Sequence, residues 1–182
     1  MRMKSFAGVL AIVVTGTVMT VTGPAVAQEK EPRSSDTGQP RQLDETHTFQ
    51  NLKSGKVLQA VSSANGAKVV QQPRDASVDL QEWFLVLDEP YRSFENFESG
   101  LNLGIDGAST AAGAAAITAR GSSDTNQDWL RDYDAYGGDY FALKNRKSGL
   151  CLGISGASTA NGAQAAQFRC DGSANQGWIL SH

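Results

Sequence analysis

Short apolar runs recur from about residue 46 to the end of the chain, and glycine, asparagine, serine or aspartate bounds them. Leu101, Leu103 and Ile105 alternate with polar or small residues, and Leu150, Leu152 and Ile154 do the same. Alternation of period two turns one face of a strand to a core and the other to water. Asn65-Gly66 and Asn161-Gly162 are turn signals at matching positions. The pattern predicts short, half-buried antiparallel strands. Residues 111–116 are rich in alanine and helical by propensity alone. Gly113 interrupts them and their counterparts are Val69 and Val70, so this stretch is also read as strand.

The strands belong to a repeated unit. Residues 99–114 (SGLNLGIDGASTAAGA) and 148–163 (SGLCLGISGASTANGA) are two copies, and a looser one runs from Ser54-Gly55 to Ala64-Asn65-Gly66-Ala67. Each copy closes on Gln-x-Trp: Gln81-Glu82-Trp83, Gln127-Asp128-Trp129 and Gln176-Gly177-Trp178. The tryptophans lie 46 and 49 residues apart, and the chain has no others. Repeats of this length are supersecondary units that must pack on one another. Three are too few for a propeller, but suit a closed all-β object with pseudo-three-fold symmetry and about twelve strands, which leaves few open edges. The repeats fall at about 46–88, 89–135 and 136–182. Trp83, Trp129 and Trp178 are then structural core plugs, one per repeat. The glutamine two positions earlier satisfies backbone groups at a turn, because a buried amide without partners is costly.

The first 45 residues read differently. Arg2 and Lys4 precede an uncharged run, 6–21, and Ala25-Val26-Ala27 fits a small-x-small cleavage site. That is the pattern of a secretory signal peptide over residues 1–27. The alternative is a retained anchor, for which the run is short against the roughly 20 residues of a span. Residues 28–45 carry charges, Pro, Ser and Gly with almost no large apolar side chain, and read as a flexible leader or a binding tail. The expectation is an extracellular, secreted, monomeric protein that no longer meets a membrane once the signal is cut. Export also changes Cys151 and Cys170. In an oxidising compartment they are expected to pair, two free thiols being the alternative. Closing a loop of that length would stabilise by roughly 3 kcal/mol.

The net charge of −3, with 19 acidic against 16 basic residues, offers no basic field for nucleic acid. With only His47, the terminal His182 and two cysteines, a zinc site of Cys and His is not expected, nor is any other metal or cofactor.

The three Gln-x-Trp motifs, the Ser-Gly-x-x-Leu openings and the Asn-Gly-Ala turns resemble the ricin B-chain type lectin domain, a β-trefoil, over about residues 46–182. The Cys151/Cys170 placement also resembles a disulfide common within one repeat of that family. The chain is similar to the ricin-type modules on many secreted bacterial glycoside hydrolases. The resemblance implies a non-catalytic carbohydrate-binding module, here a free-standing lectin without an enzyme domain. It implies one shallow sugar pocket per repeat. An Asp after the Cys-Leu pair takes hydroxyls, a later aromatic stacks on the ring, and an Asn before Gln-x-Trp adds hydrogen bonds. A pyranose has a polar edge and an apolar face, so this division of labour is chemically sound.

This sequence departs from that pattern. The Asp position holds Gln59, Gly104 and Gly153. The aromatic position is read as Gln72, Thr118 and Phe168, and the Asn position as Leu80, Asn126 and Asn175. The third repeat therefore keeps the fullest carbohydrate-binding set, Phe168, Asn175 and Gln176, braced by Cys151 and Cys170. The second keeps Asn126 and Gln127, with Asp106 as a substitute carboxylate. The ligand class the resemblance implies is a carbohydrate, with galactosides and xylan-like polysaccharides as the candidates. The alternative is a degenerate trefoil scaffold that binds another protein, as an inhibitor or surface component.

Other motifs are weaker. Gly153-Ile154-Ser155-Gly156-Ala157 lacks the last glycine of a hydrolase nucleophile elbow and is read as a repeat turn. His47 has no triad partner by spacing, and no catalytic residue is expected. A calcium loop from Asp132 would place Leu143 where a Glu is required. The stretch links the second and third repeats, and Tyr133, Tyr136 and Tyr140 are suited to rim a pocket.

Overall fold

The computed structural model describes residues 45–181. The expected signal peptide, and all but the last residue of the expected leader, lie outside that range. The described residues form twelve strands and short 3₁₀ turns, with no α-helix. None of their helical segments is long and apolar enough to cross a membrane.

The strands fall in three groups of four. They are β1 (Thr46–Asn51), β2 (Val57–Ala60), β3 (Val69–Gln72) and β4 (Trp83–Asp88); β5 (Tyr91–Asn96), β6 (Asn102–Ile105), β7 (Ala116–Ala119) and β8 (Trp129–Asp132); and β9 (Phe141–Asn145), β10 (Cys151–Ile154), β11 (Ala165–Phe168) and β12 (Gly177–Ser181). The first and last strand of each group pair in a ring: β1–β4–β5–β8–β9–β12 and back to β1, all antiparallel. Closure leaves the barrel without an edge strand. The inner two strands of each group make a hairpin, β2–β3, β6–β7 and β10–β11. The architecture is a β-trefoil.

The three hairpins meet across the pseudo-three-fold axis. Single bridges Lys68–Ile117, Val70–Gln164 and Ala115–Ala166 join them. Gln71 donates to the carbonyls of Ser158 and Ala160, and Gln167 donates in the same way to Ser109 and Ala111. The third such position is Thr118, whose shorter hydroxyl reaches Ala64 O at 3.4 Å. At the axis, Gln164 Nε2 lies 2.8, 3.0 and 2.8 Å from the carbonyl oxygens of Val69, Ala116 and Ala165, one from each repeat. The alanine-rich 111–116 stretch is a turn entering β7, because its backbone serves this junction.

The core repeats in layers. Trp83, Trp129 and Trp178 are fully buried, and each indole N–H donates to the carbonyl of a buried leucine, Leu58, Leu103 or Leu152. Phe49, Phe94 and Leu143 form a further triplet, with Phe49 edge-on to Phe94 at 4.7 Å. The alternating leucines and isoleucines of β6 and β10 thus face this core.

Candidate functional site

The chain leaves β10 through a tight turn, Ser155–Ala157, before the hairpin. Gly156 (φ 62°) and Ala157 (φ 48°) are both left-handed there. Such a φ is uncommon for a residue with a Cβ. The second repeat repeats the turn with Gly107 and Ala108 (φ 59° and 50°). The first does not: Val61 alone stands between β2 and Ser62, the counterpart of Ser158. A second 3₁₀ turn, Ala174–Gln176, precedes β12. Between these two turns of the third repeat opens a cleft of about 410 Å³, lined among others by Ala157, Phe168, Asp171, Ser173, Asn175 and Gln176.

The structure thus brings Phe168, Asn175 and Gln176 to one cleft. Phe168 is half-buried at the end of β11 and pairs in register with Cys151. Asn175 is nearly buried. Its Nδ2 donates to Ile154 O at 3.4 Å and its Oδ1 accepts from the Ser173 hydroxyl at 2.8 Å. Gln176 is 3% exposed and committed inward: Nε2 donates to Arg169 O and Oε1 accepts from Asp171 N. Gln127 donates likewise to Arg120 O, and Gln81 to Pro73 O. The glutamines of the Gln-x-Trp motifs hold the turns, as a buried amide must.

Cys151 and Cys170 form a disulfide, with 5.0 Å between their Cα atoms. It fixes the segment between Phe168 and Asp171 to the start of β10. Tyr136, from the linker before β9, donates to the carbonyl of the lining residue Ser173 at 2.8 Å. Burial, with a smaller part from the nearby Asp171 charge, pushes its pKa up to about 12.

Asp171 and Ser173 escape the motif reading, because they lie in a turn that varies between repeats. A chemical signal exists, an Asp directly after a paired cysteine. Asp171 Oδ1 accepts from Ser173 N at 2.9 Å. The Ser173 hydroxyl first and its backbone N–H second hold the carboxyl below the usual carboxylate range. The sequence reading also missed Asn51, Asn96 and Asn145. Each is buried and ends a barrel strand, and each donates to the carbonyl before Gln-x-Trp: Asn175 O, Leu80 O and Asn126 O. One repeat thereby clamps the turn of another. The recurrent Asn-x-x-Ser-Gly is visible in the sequence.

The second repeat is built differently. Residue Ala119, not Thr118, is the counterpart of Phe168, because Asn102 pairs with Ala119 as Cys151 does with Phe168. Thr118 is fully buried, one position out of phase. The second repeat therefore has no aromatic platform. Asn126 donates to Ile105 O at 3.0 Å, matching Asn175. Asp124 stands where Ser173 does and pairs with Lys147 at 2.8 Å. Asp106 is exposed on the turn, at the position of Ser155, which is not among the residues lining the third-repeat cleft.

At Gly104 and Gly153 the position of the missing Asp is sterically crowded. A Cβ on Gly153 would lie 2.9 Å from Gln176 Cγ and 3.3 Å from Asn175 Nδ2. On Gly104 it would meet Gln127 Cγ at 2.9 Å. In the first repeat Gln59 occupies this place and accepts from Gln81 Nε2. A smaller cleft of about 150 Å³ is lined by Tyr91, Leu130, Lys144, Asn145, Arg146 and Gly149. Arg146 lies 4.6 Å over the Tyr91 ring and pairs with Asp128.

Comparison with known proteins agrees with this architecture. Among solved structures the chain is similar to ThreeFoil, a designed three-fold symmetric protein, at 34% identity and TM-score 0.71, over 75% of this chain and 98% of that one. It is similar to the exo-β-1,3-galactanase 1,3Gal43A of Clostridium thermocellum at 28% identity and TM-score 0.71, over 75% of this chain but only 30% of the galactanase. The ricin B-like lectin of Macrolepiota procera, solved in complex with lactose, shares the fold at 20% identity and TM-score 0.66, over 76% of this chain and 95% of the lectin. No curated protein matches. The family model of the ricin-type β-trefoil lectin domain-like proteins matches at residues 37–119, 79–167 and 125–182. The chain belongs to the ricin-type β-trefoil lectin domain-like family.

Proposed function

We propose that this protein is a secreted, non-catalytic lectin that binds a carbohydrate in the cleft of its third repeat. The observation that carries the reading is the convergence of Phe168, Asn175 and Ser173 on one open cleft. A half-buried aromatic face beside fixed polar groups matches the two-sided chemistry of a pyranose. The lactose complex of the Macrolepiota lectin and the galactan-directed activity of the Clostridium enzyme make galactosides the first ligands to try. The disulfide suits an oxidising, extracellular setting. Asn126, Gln127 and Asp106 are assigned at most a weaker site, since Ala119 gives no stacking face.

The test is a glycan array probed with the full chain exported from its host, with Phe168→Ala alongside. Binding to one sugar class that is lost in the folded variant is the expected result. A folded wild-type protein that binds no glycan overturns the reading and leaves a scaffold for a protein partner.

A further inference from the structure

Resting on that reading, we propose that Asp171 is the charged acceptor of the site, and that the ligand is a neutral pyranoside with a hydroxyl turned to this carboxylate. The strand position from which a carboxylate would otherwise reach the sugar is Gly153, and there any Cβ collides with Gln176 Cγ at 2.9 Å. A carboxyl does line the same cleft, that of Asp171 on the turn after β11.

A role in the turn alone does not account for Asp171, as its counterparts in the other repeats show. Asp75 in the first repeat makes the same turn, accepting from Ser77 N at 3.0 Å. In the second repeat Ser122 does so instead, with Asp124 N donating to its hydroxyl at 3.2 Å. The turn therefore needs an acceptor but no charge. Among the three, Asp171 alone lines a cleft together with an aromatic side chain: Gln72 and Ala119 stand at the Phe168 position in the other repeats.

The carboxylate is also held in place before any ligand arrives. Its backbone N–H donates to Gln176 Oε1, its Oδ1 accepts from Ser173 N, and the preceding residue is tied down by the disulfide. The Ser173 hydroxyl donates to Asn175 Oδ1 at 2.8 Å, and the Asp171 carboxylate accepts from Ser173 N at 2.9 Å. An ionised carboxyl has further lone pairs for a sugar hydroxyl. An anchored ionised acceptor forms a stronger hydrogen bond than a neutral one and loses little entropy on binding. A sugar acid with its own carboxylate toward Asp171 meets like charge and is rejected.

The experiment uses the exported full chain with Asp171→Ser, Asp171→Asn and Phe168→Ala. Calorimetry is run against the neutral methyl glycoside of whichever sugar the array selects, and against the corresponding uronate. Asp171→Ser keeps the turn as Ser122 does, so its unfolding midpoint is expected to match the parent. Its affinity is expected to fall about tenfold or more, the loss typical of a charged hydrogen bond. Asp171→Asn is expected to fall similarly, and the uronate to bind the parent more weakly than the neutral sugar. Unchanged affinity in both Asp171 variants, with Phe168→Ala inactive, overturns the role of Asp171 and leaves the lectin reading standing. A parent that binds no sugar overturns both. Stronger binding of the uronate overturns the assignment of a neutral ligand.

Discussion

Each buried tryptophan closes one repeat with a single hydrogen bond and a large apolar surface. Trp129→Ala or Trp178→Ala removes both and is expected to cost about 3–5 kcal/mol in chemical denaturation. A variant as stable as the parent would contradict the burial of these rings. Tyr136 makes a prediction of opposite character. Its hydroxyl stays protonated in the fold to about pH 12, whereas in the unfolded chain it ionises from pH 10.0. A folded-state pKa above the unfolded value gives stability that is complete below pH 10.0 and lost as pH rises toward 12. Tyr136→Phe is therefore expected to lose less stability than the parent across that window. Urea midpoints taken on both sides of pH 10 check it, and parallel curves would refute it. The roles of the tryptophans were legible from their spacing. Those of Asp171 and Tyr136 were not, because both act through contacts made far along the chain.

At the scale of the element, the third-repeat hairpin is the best braced of the three, and its brace is covalent. The disulfide holds the segment that carries both Phe168 and Asp171. Replacing Cys151 and Cys170 together by serine is expected to cost roughly 3 kcal/mol, and to weaken sugar binding more than the mere survival of the fold would require. Thermal unfolding and calorimetry on the same sample separate the two effects; full affinity in the folded double variant would show that the brace serves stability alone. The strands themselves were readable from period-two alternation. The phase within β7 was not, since Ile117 and Thr118 interrupt a run of alanines and only the pairing with β6 shows that Ala119 matches Phe168. The 3₁₀ turns beside the cleft likewise lack a strong local signal. Left-handed Ala157 there, like Ala108 in the second repeat, is a residue that propensity would place elsewhere.

For the whole molecule, three-fold repetition of the backbone does not extend to three equal sites. The first repeat lacks the Gly-Ala turn, the second lacks the platform and carries the Asp124–Lys147 pair, and the third keeps the open cleft. Calorimetry is expected to give one sugar per chain, and a monomer should not cross-link glycans by multivalency. A stoichiometry of two or three would show that the other repeats bind by a different arrangement. The shared interior explains how the surfaces diverged. The inter-repeat bonds of Asn51, Asn96 and Asn145, and of Gln164 on the axis, hold the barrel whichever surface residues are present.

The sequence by itself determined the all-β class, the three repeats, the tryptophan core and the family, because these rest on periodicity and on residues that recur at fixed spacing. Which cysteine pair, aromatic and asparagine belong to one repeat was also readable along the chain. Only the tertiary structure decided that a Cβ at Gly104 or Gly153 would crowd the glutamine of Gln-x-Trp, that Ala119 and not Thr118 is the counterpart of Phe168, and that Asp171 lines the same cleft. Steric room, strand register and the approach of two turns are properties of packed neighbours distant in sequence, and no local pattern encodes them.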